Sequence, residues 1–134
     1  MQARRQVLLV EDQADQRETL RRGLFLLGLD CVTAGCAAEA LAHLQGPAGD
    51  RVELLLTDLT LPGTSGAQLI ERARATRPGL PVLVITGLAL SSEVTALRAR
   101  GIPILRKPFT PDQLGNAIAA AVAADRGTNE GDLP

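Results

Sequence analysis

Short apolar runs alternate with longer amphipathic stretches along most of the chain. Residues 7–10, 52–57 and 81–86 form three nearly continuous apolar runs, each too short for an ordinary helix. Runs of this length are typical of strands that are buried on both faces of a parallel sheet. The middle run ends in a single carboxylate, Asp58, and is followed by a Pro-Gly break at residues 62–63. We therefore expect a central strand that places Asp58 at its C-terminal end.

Two weaker apolar runs lie at residues 31–34 and 102–105. Pro103 has no N–H donor, so the second of these runs belongs at an edge of a sheet. The run at 31–34 is less apolar than the central ones and is also expected at an edge. Together with the three stronger runs, they predict a sheet of five strands.

Between the runs, apolar residues recur three and four positions apart, as expected for helices that pack one face on a sheet. Leu20, Leu24 and Leu27 form such a stripe after the first run, and similar stripes follow the other runs. Gly28 comes directly after this stripe and suits the C′ position of a helix. Hydroxyl side chains stand where three of the helices should begin. These N-cap candidates are Ser65, Ser91 or Ser92, and Thr110.

Strands that alternate with helices predict an α/β fold, in which a parallel sheet carries helices on both faces. Right-handed crossovers leave few arrangements. We predict a doubly wound (βα)5 fold with the flavodoxin-like strand order 2-1-3-4-5. Strands one and three are then neighbours, about 4.8 Å apart. The winding direction reverses between them, so their C-terminal ends open into a crevice, the usual ligand site of such sheets.

The length and composition fit one ordinary domain. The chain has 134 residues, of which 46% are hydrophobic, so it can bury a core of Leu, Val, Ile and Ala. We predict a domain over residues 1–124 and a polar tail over residues 125–134 that is expected to be disordered. No internal repeat and no second domain is predicted.

Charge and cysteine content exclude several function classes. The formal net charge is −1, which gives no electrostatic footprint for nucleic acid or an anionic membrane. The first apolar run stops at Glu11, far short of a signal sequence or spanning helix, so a soluble cytoplasmic protein is expected. Cys31 and Cys36 have a spacing that fits neither a zinc site nor a redox pair, which indicates reduced thiols. His43 stands alone and is predicted to be a surface residue.

Polar side chains follow four of the five predicted strands. Glu11 and Asp12 follow strand one, Asp58 ends strand three, Thr86 ends strand four and Lys107 follows strand five. Taken singly, each has an ordinary explanation, since Asp58 could form a turn, Thr86 could cap a helix and Lys107 could make a surface salt bridge. Parallel strands end at one rim, however, so the fold brings these residues together.

Three neighbouring carboxylates repel one another unless their pKa values shift or they bind a cation. Carboxylate oxygens in a partly hydrated site suit Mg²⁺, whose charge, together with that of Lys107, balances the three acids. One carboxylate could then act as a nucleophile toward a phosphoryl group. Thr86 could donate a hydrogen bond to a phosphoryl oxygen and Lys107 could neutralise another, which are the positioning and charge effects that phosphoryl transfer needs.

These motifs, over about residues 6–124, resemble the receiver domain of bacterial two-component response regulators. The match consists of the acidic pair Glu11-Asp12, Asp58 with Pro62 and Gly66 behind it, Thr86-Gly87, and Lys107-Pro108-Phe109. Each motif is weak alone, whereas all four in this order and at strand ends are specific. The resemblance implies that Asp58 accepts phosphate from a phosphohistidine on a sensor histidine kinase or histidine phosphotransfer protein.

The resemblance also implies roles for the remaining site residues. Asp12 and Asp58 would bind Mg²⁺ directly, Glu11 would bind it through water, and Thr60 would bind it through its backbone carbonyl. Thr86 would be the switch hydroxyl. Lys107 would pair with the phosphoryl group and, at rest, with Asp58. The Lys107–Pro108 peptide bond is expected to be cis.

One position departs from the family pattern. Receivers usually carry an aromatic residue three positions before the lysine, and this chain has Ile104 there. The run 102–108 is similar to receivers fused to hybrid sensor kinases, so the chain could be a module of that kind or a stand-alone regulator. No DNA-binding motif follows, so output is expected by protein contact through helix four, strand five and helix five, with a downstream protein or a second copy.

Three other function classes remain as alternatives. An aspartate-nucleophile phosphatase would carry an Asp-x-Asp-x-Thr pattern, which Glu11-Asp12-Gln13 lacks. A flavin or nucleotide binder is disfavoured because the first loop is acidic and has no glycine. A pseudo-receiver would bind partners without phosphate, but the acids, Thr86 and Lys107 are all present. No enzymatic activity is expected beyond self-phosphorylation from a donor and slow self-dephosphorylation.

Overall fold

The fold is a five-stranded parallel sheet with the order β2-β1-β3-β4-β5, as predicted. A computed structural model describes residues 6–87 and 91–131, with side chains up to Ala124. The strands are β1 Gln6–Val10, β2 Asp30–Ala34, β3 Val52–Asp58, β4 Val82–Thr86 and β5 Ile104–Arg106. The helices are α1 Ala14–Leu26, α2 Ala37–Gln45, α3 Gly66–Thr76, α4 Ser92–Ala99 and α5 Pro111–Gly131, with a 3-10 turn at Gly49–Arg51.

The two central strands are buried on both faces because successive side chains point to opposite sides of the sheet. Leu8 and Leu55 belong to the cluster that packs against α2, α3 and α4. Their neighbours Leu9 and Leu56 belong to the cluster that packs against α1 and α5. All four are fully buried, and each contributes about 2 kcal/mol through the removal of its side chain from water. The continuous apolar runs therefore fill two cores at once.

The edge positions are occupied by β2 and β5, which were the two strands predicted there. β5 begins one residue after Pro103, whose carbonyl oxygen accepts a hydrogen bond from the N–H of Val84 at 3.0 Å. A proline is tolerated there because it precedes the first residue of the strand, where the ladder does not yet need an N–H donor.

The predicted end of α1 is also confirmed. Gly28 has a φ of 86°, a left-handed conformation that side chains other than glycine rarely adopt. Its N–H bonds to the carbonyl of Phe25, and the N–H of Leu29 bonds to the carbonyl of Leu24, both at 3.0 Å. This Schellman motif satisfies the last carbonyls of α1 and turns the chain into β2.

Three helices begin at the predicted hydroxyl caps. Ser65 and Gln68 exchange two side chain–backbone hydrogen bonds at the start of α3, which is a complete capping box. Thr110 and Gln113 make the same reciprocal pair before α5. For α4, the cap is Ser91, whose hydroxyl oxygen accepts from the N–H of Val94 at 3.1 Å.

Helix α5 extends beyond the predicted domain end at Ala124 and continues to Gly131. The backbone of residues 125–131 is therefore helical rather than irregular, because each residue added to an existing helix gains a backbone hydrogen bond. Residues 132–134 of the predicted tail lie outside the described residues, and the domain boundary itself stays a prediction. Within the described ranges, no helix has the length and hydropathy needed to cross a bilayer.

His43 is less exposed than predicted. It lies half-buried on α2, and its Nε2 atom is buried without a hydrogen-bond partner among the described residues. It belongs to none of the groups of metal-ligating side chains found in the described part of the chain.

The two cysteines are free thiols, and they should differ in reactivity. Burial raises the pKa of Cys31 to about 11, so at about pH 8 it stays in the unreactive thiol form. Cys36 lies at the N-cap of α2. We expect iodoacetamide to label Cys36 well before Cys31 in the native protein, as measured by peptide mapping. Labelling in denaturant should remove the difference, and equal labelling of the native protein would contradict the prediction.

Candidate functional site

The predicted acids meet at the C-terminal rim of the sheet. Val10 of β1 pairs with Thr57 of β3, so the residues that follow, Glu11 and Asp58, stand at the same level on neighbouring strands. Asp12 completes the group, and carboxylate oxygens of the three residues all lie within 4.8 Å of one another. The site is therefore assembled from two segments that are distant in sequence but adjacent in the sheet.

Backbone hydrogen bonds continue the strand pairing past the acids and fix their positions. The N–H of Glu11 donates to the carbonyl of Ala34 at 3.1 Å, and the N–H of Leu59 donates to the carbonyl of Ile85 at 3.1 Å. The backbone at Glu11 is thus bonded to β2, and the backbone directly after Asp58 is bonded to β4.

The three acids differ in their exposure to solvent. Glu11 is buried, Asp58 is half-buried and Asp12 is exposed. The pKa of Glu11 is raised, mainly by burial and also by the nearby carboxylate of Asp58. Two effects oppose this rise, namely a hydrogen bond from the backbone N–H of Gln13 at 3.1 Å and the Lys107 ammonium. The charged form of Glu11 is therefore costly at this position, and added positive charge at the rim would stabilise it.

Lys107 reaches into the acidic group from the end of β5. Its Nζ atom lies 3.2 Å from Asp58 Oδ2 and 3.4 Å from Glu11 Oε1, so the predicted pairing with Asp58 is present. Its backbone N–H donates to the carbonyl of Thr86 at 2.8 Å. The Lys107–Pro108 peptide bond is cis, as predicted. The lysine is thus anchored to β4 by its backbone and to the acids by its side chain.

The two threonines flank Asp58. Thr86 is the buried last residue of β4, one position beyond the Ile85 that pairs with Asp58. Thr60 is exposed, and its backbone N–H donates to Asp58 Oδ1 at 3.2 Å. The switch role of the Thr86 hydroxyl and metal binding by the Thr60 carbonyl stay predictions.

Helix α1 contributes residues that the sequence reasoning missed. Gln16 Oε1 accepts a hydrogen bond from Lys107 Nζ at 3.0 Å, and Gln16 Nε2 donates to Gln13 Oε1 at 2.7 Å. Arg17 Nη1 donates to the carbonyl of Glu11 at 2.8 Å. No sequence signal identified Gln16, because it lies 91 positions from Lys107 in the chain.

The donor set fits a hard divalent cation. Three carboxylates that all offer an oxygen within a few ångströms of one another match the oxygen ligands of Mg²⁺. The exposure of Asp12 leaves room for the waters that Mg²⁺ retains. The single lysine offsets only part of the negative charge, which also favours a bound cation.

Comparisons with known proteins give a consistent result. The family model described as "Response regulator receiver domain" matches residues 7–119, a range that contains the acids, both threonines and Lys107. The chain is 35% identical over 129 residues to the response regulator protein FleR of Pseudomonas aeruginosa, covering 96% of this chain and 27% of FleR. It is 31% identical over 118 residues to the DNA-binding transcriptional regulator NtrC of Escherichia coli, covering 87% of this chain and 24% of NtrC.

Solved structures agree with this match. A response regulator receiver protein from Pseudomonas putida superposes with a TM-score of 0.79 at 33% identity, covering 89% of this chain and 98% of that one. The chain spans about a quarter of the length of FleR and NtrC. On the family match, the strand order and the acidic rim, the chain belongs to the response regulator receiver domain family of two-component systems.

Proposed function

We propose that Asp58 accepts a phosphoryl group from a phosphohistidine on a partner, either a sensor histidine kinase or a histidine phosphotransfer protein, in a Mg²⁺-dependent reaction. The observation that carries this proposal is the acidic group at the sheet rim with the Lys107 ammonium 3.2 Å from Asp58. Asp58 is also the acid at the end of the central strand β3, half-buried and thus still open to a donor.

In this reaction an Asp58 carboxylate oxygen attacks phosphorus, the new O–P bond forms, and the N–P bond to the partner's imidazole breaks. Mg²⁺ would be held by Glu11, Asp12, Asp58 and the Thr60 carbonyl, and it would neutralise charge on the phosphoryl oxygens. The Thr60 N–H already donates to Asp58 Oδ1 at 3.2 Å. The other oxygen, Oδ2, contacts Lys107 and would exchange this contact for a new one.

Lys107 and Thr86 would stabilise the transferred group. Lys107 would turn from Asp58 to a phosphoryl oxygen by side-chain rotation, while its backbone stays bonded to β4. The Thr86 hydroxyl can donate to another oxygen. Both effects are charge neutralisation and positioning, which phosphoryl transfer mainly requires. We propose no turnover beyond this self-phosphorylation and a slow hydrolysis of the aspartyl phosphate.

Output is proposed to occur by protein contact through the face formed by α4, β5 and α5, toward a downstream protein or a second copy. Ile104 on β5 is half-buried against the α2–α3–α4 core cluster. Its side chain is apolar and offers no polar group for new hydrogen bonds. Thr86 is therefore the proposed origin of any change on this face. We propose no nucleic-acid contact for the domain itself, whose net charge is −1.

The test is intact-mass measurement after incubation with a small-molecule phosphodonor such as acetyl phosphate. With Mg²⁺ we expect the protein to gain the mass of one phosphoryl group. With EDTA we expect no gain, because the uncompensated acids repel the anionic donor. A wild-type protein that gains no mass would favour the pseudo-receiver. Repeated turnover of a phosphate ester would favour the phosphatase.

A further inference from the structure

Among the residues that the structure describes, the Lys107 ammonium has three hydrogen-bond acceptors around it, one for each of its donors. Two are the carboxylates of Asp58 and Glu11, at 3.2 and 3.4 Å, and the third is the amide oxygen of Gln16 at 3.0 Å. The shortest of the three contacts is thus to the neutral group. Both carboxylate contacts are longer than the roughly 2.7–2.9 Å that is usual for a lysine bound to a carboxylate.

Gln16 is itself held in place by a closed circuit of hydrogen bonds. Its Nε2 atom donates to Gln13 Oε1 at 2.7 Å, which turns its oxygen toward Lys107. The backbone N–H of Gln13 donates to Glu11 Oε2 at 3.1 Å, and Glu11 Oε1 faces Lys107. The circuit therefore joins the first turn of α1 to both the acidic loop and the lysine.

Phosphoryl transfer requires the lysine to give up its carboxylate partners. A cation bound by Glu11 and Asp58 takes up the oxygens that the ammonium now contacts, and the side chain of Lys107 is only 29% exposed. An ammonium that exchanges both carboxylates for water alone is less well stabilised. Gln16 is neutral and cannot serve as a strong ligand of the cation, so it can keep its contact throughout.

We propose that Gln16 is a positioning residue for Lys107. The amide oxygen of Gln16 keeps the ammonium at the rim when the acids bind a cation and Asp58 receives a phosphoryl group. This inference rests on the proposed function, because it assigns Gln16 a part in that same site. Gln16 acts through Lys107 and touches neither the cation nor the phosphoryl group.

The test compares Gln16→Met, which keeps the length of the side chain and removes the acceptor, with Gln45→Met as a matched control at the exposed end of α2. Mg²⁺ affinity is measured by titrating MgCl₂ into labelled protein and following amide shifts by NMR. We expect Gln16→Met to raise the Kd for Mg²⁺ about threefold, a modest change because water can partly replace a neutral acceptor. Gln45→Met should leave the Kd unchanged.

A double-mutant cycle separates positioning from a general structural effect. In a Lys107→Met background, Gln16→Met should no longer change the Kd for Mg²⁺, since no ammonium is left to hold. An equal change in both backgrounds, or no change in either, would overturn the inference. If the wild type binds Mg²⁺ and gains phosphate while Gln16→Met behaves like wild type, the inference alone fails. If the wild type does neither, the proposed function fails and the inference with it.

Discussion

Asp58→Asn is expected to abolish the gain of phosphate from a small phosphodonor. A neutral amide is a much poorer nucleophile than a negatively charged carboxylate, and the substitution also removes one of the three charges that would hold Mg²⁺. The geometry should survive, since an asparagine oxygen can still accept from the N–H of Thr60 at the observed 3.2 Å. Intact mass after incubation with donor and MgCl₂ is the measurement, and we expect no modified protein.

Two controls accompany this prediction. Asp50→Asn removes an exposed aspartate in the 3-10 turn before β3, outside the acidic group, and should leave phosphate uptake unchanged. The melting temperature of Asp58→Asn without Mg²⁺ should stay close to that of the wild type, because relief of the repulsion with Glu11 opposes loss of the ion pair with Lys107. Wild-type phosphate uptake by the variant would place the acceptor elsewhere, with Asp12 the first residue to examine.

Gly66→Ala is expected to destabilise the fold and to disturb the site together. A Cβ atom at Gly66 would lie 2.6 Å from the carbonyl oxygen of Asp58 and 2.9 Å from the Cα of Leu59. Both are backbone atoms at the end of β3, so they cannot move aside without displacing Asp58. We expect the free energy of unfolding to fall by about 3 kcal/mol, as measured in urea. Phosphate uptake should fall as well, because Asp58 would shift relative to Glu11.

Gly23→Ala is the control, because this glycine substitution should raise the free energy of unfolding. Gly23 lies inside α1, and a Cβ atom there would meet nothing within 4 Å. Alanine in a helix interior is favoured over glycine, so this variant should gain about 0.5–1 kcal/mol of stability. A Gly66→Ala protein as stable as the wild type would show that the β3–α3 connection can move and that close packing does not require glycine at position 66.

The strand order and the acidic group could be predicted from the sequence because they follow from the same rule. Continuous apolar runs identified the strands, and right-handed crossovers with five strands left one common order. Once β1 and β3 were neighbours, Glu11 and Asp58 had to meet, since parallel strands end at one rim. The prediction did not depend on any long-range information beyond this topology.

The part played by α1 could not be predicted in the same way. Gln13 and Gln16 look like ordinary polar residues on the exposed face of a helix, and Gln16 is 91 positions from its partner Lys107 in sequence. Only the direction of the lysine side chain reveals the contact. The extent of α5 was missed for a different reason, because the composition becomes polar after Ala124 and polar composition does not by itself end a helix that is already formed.

The direction of α5 has a consequence for how a change at Asp58 could be sensed elsewhere. The helix begins close to the acidic rim, at Pro111, and runs away from it for 21 residues, a length of about 30 Å. The last turn of the helix is therefore too distant to touch a phosphorylated aspartate. The modification could affect that end only as a mechanical displacement, carried by the helix or by the strands on which it rests.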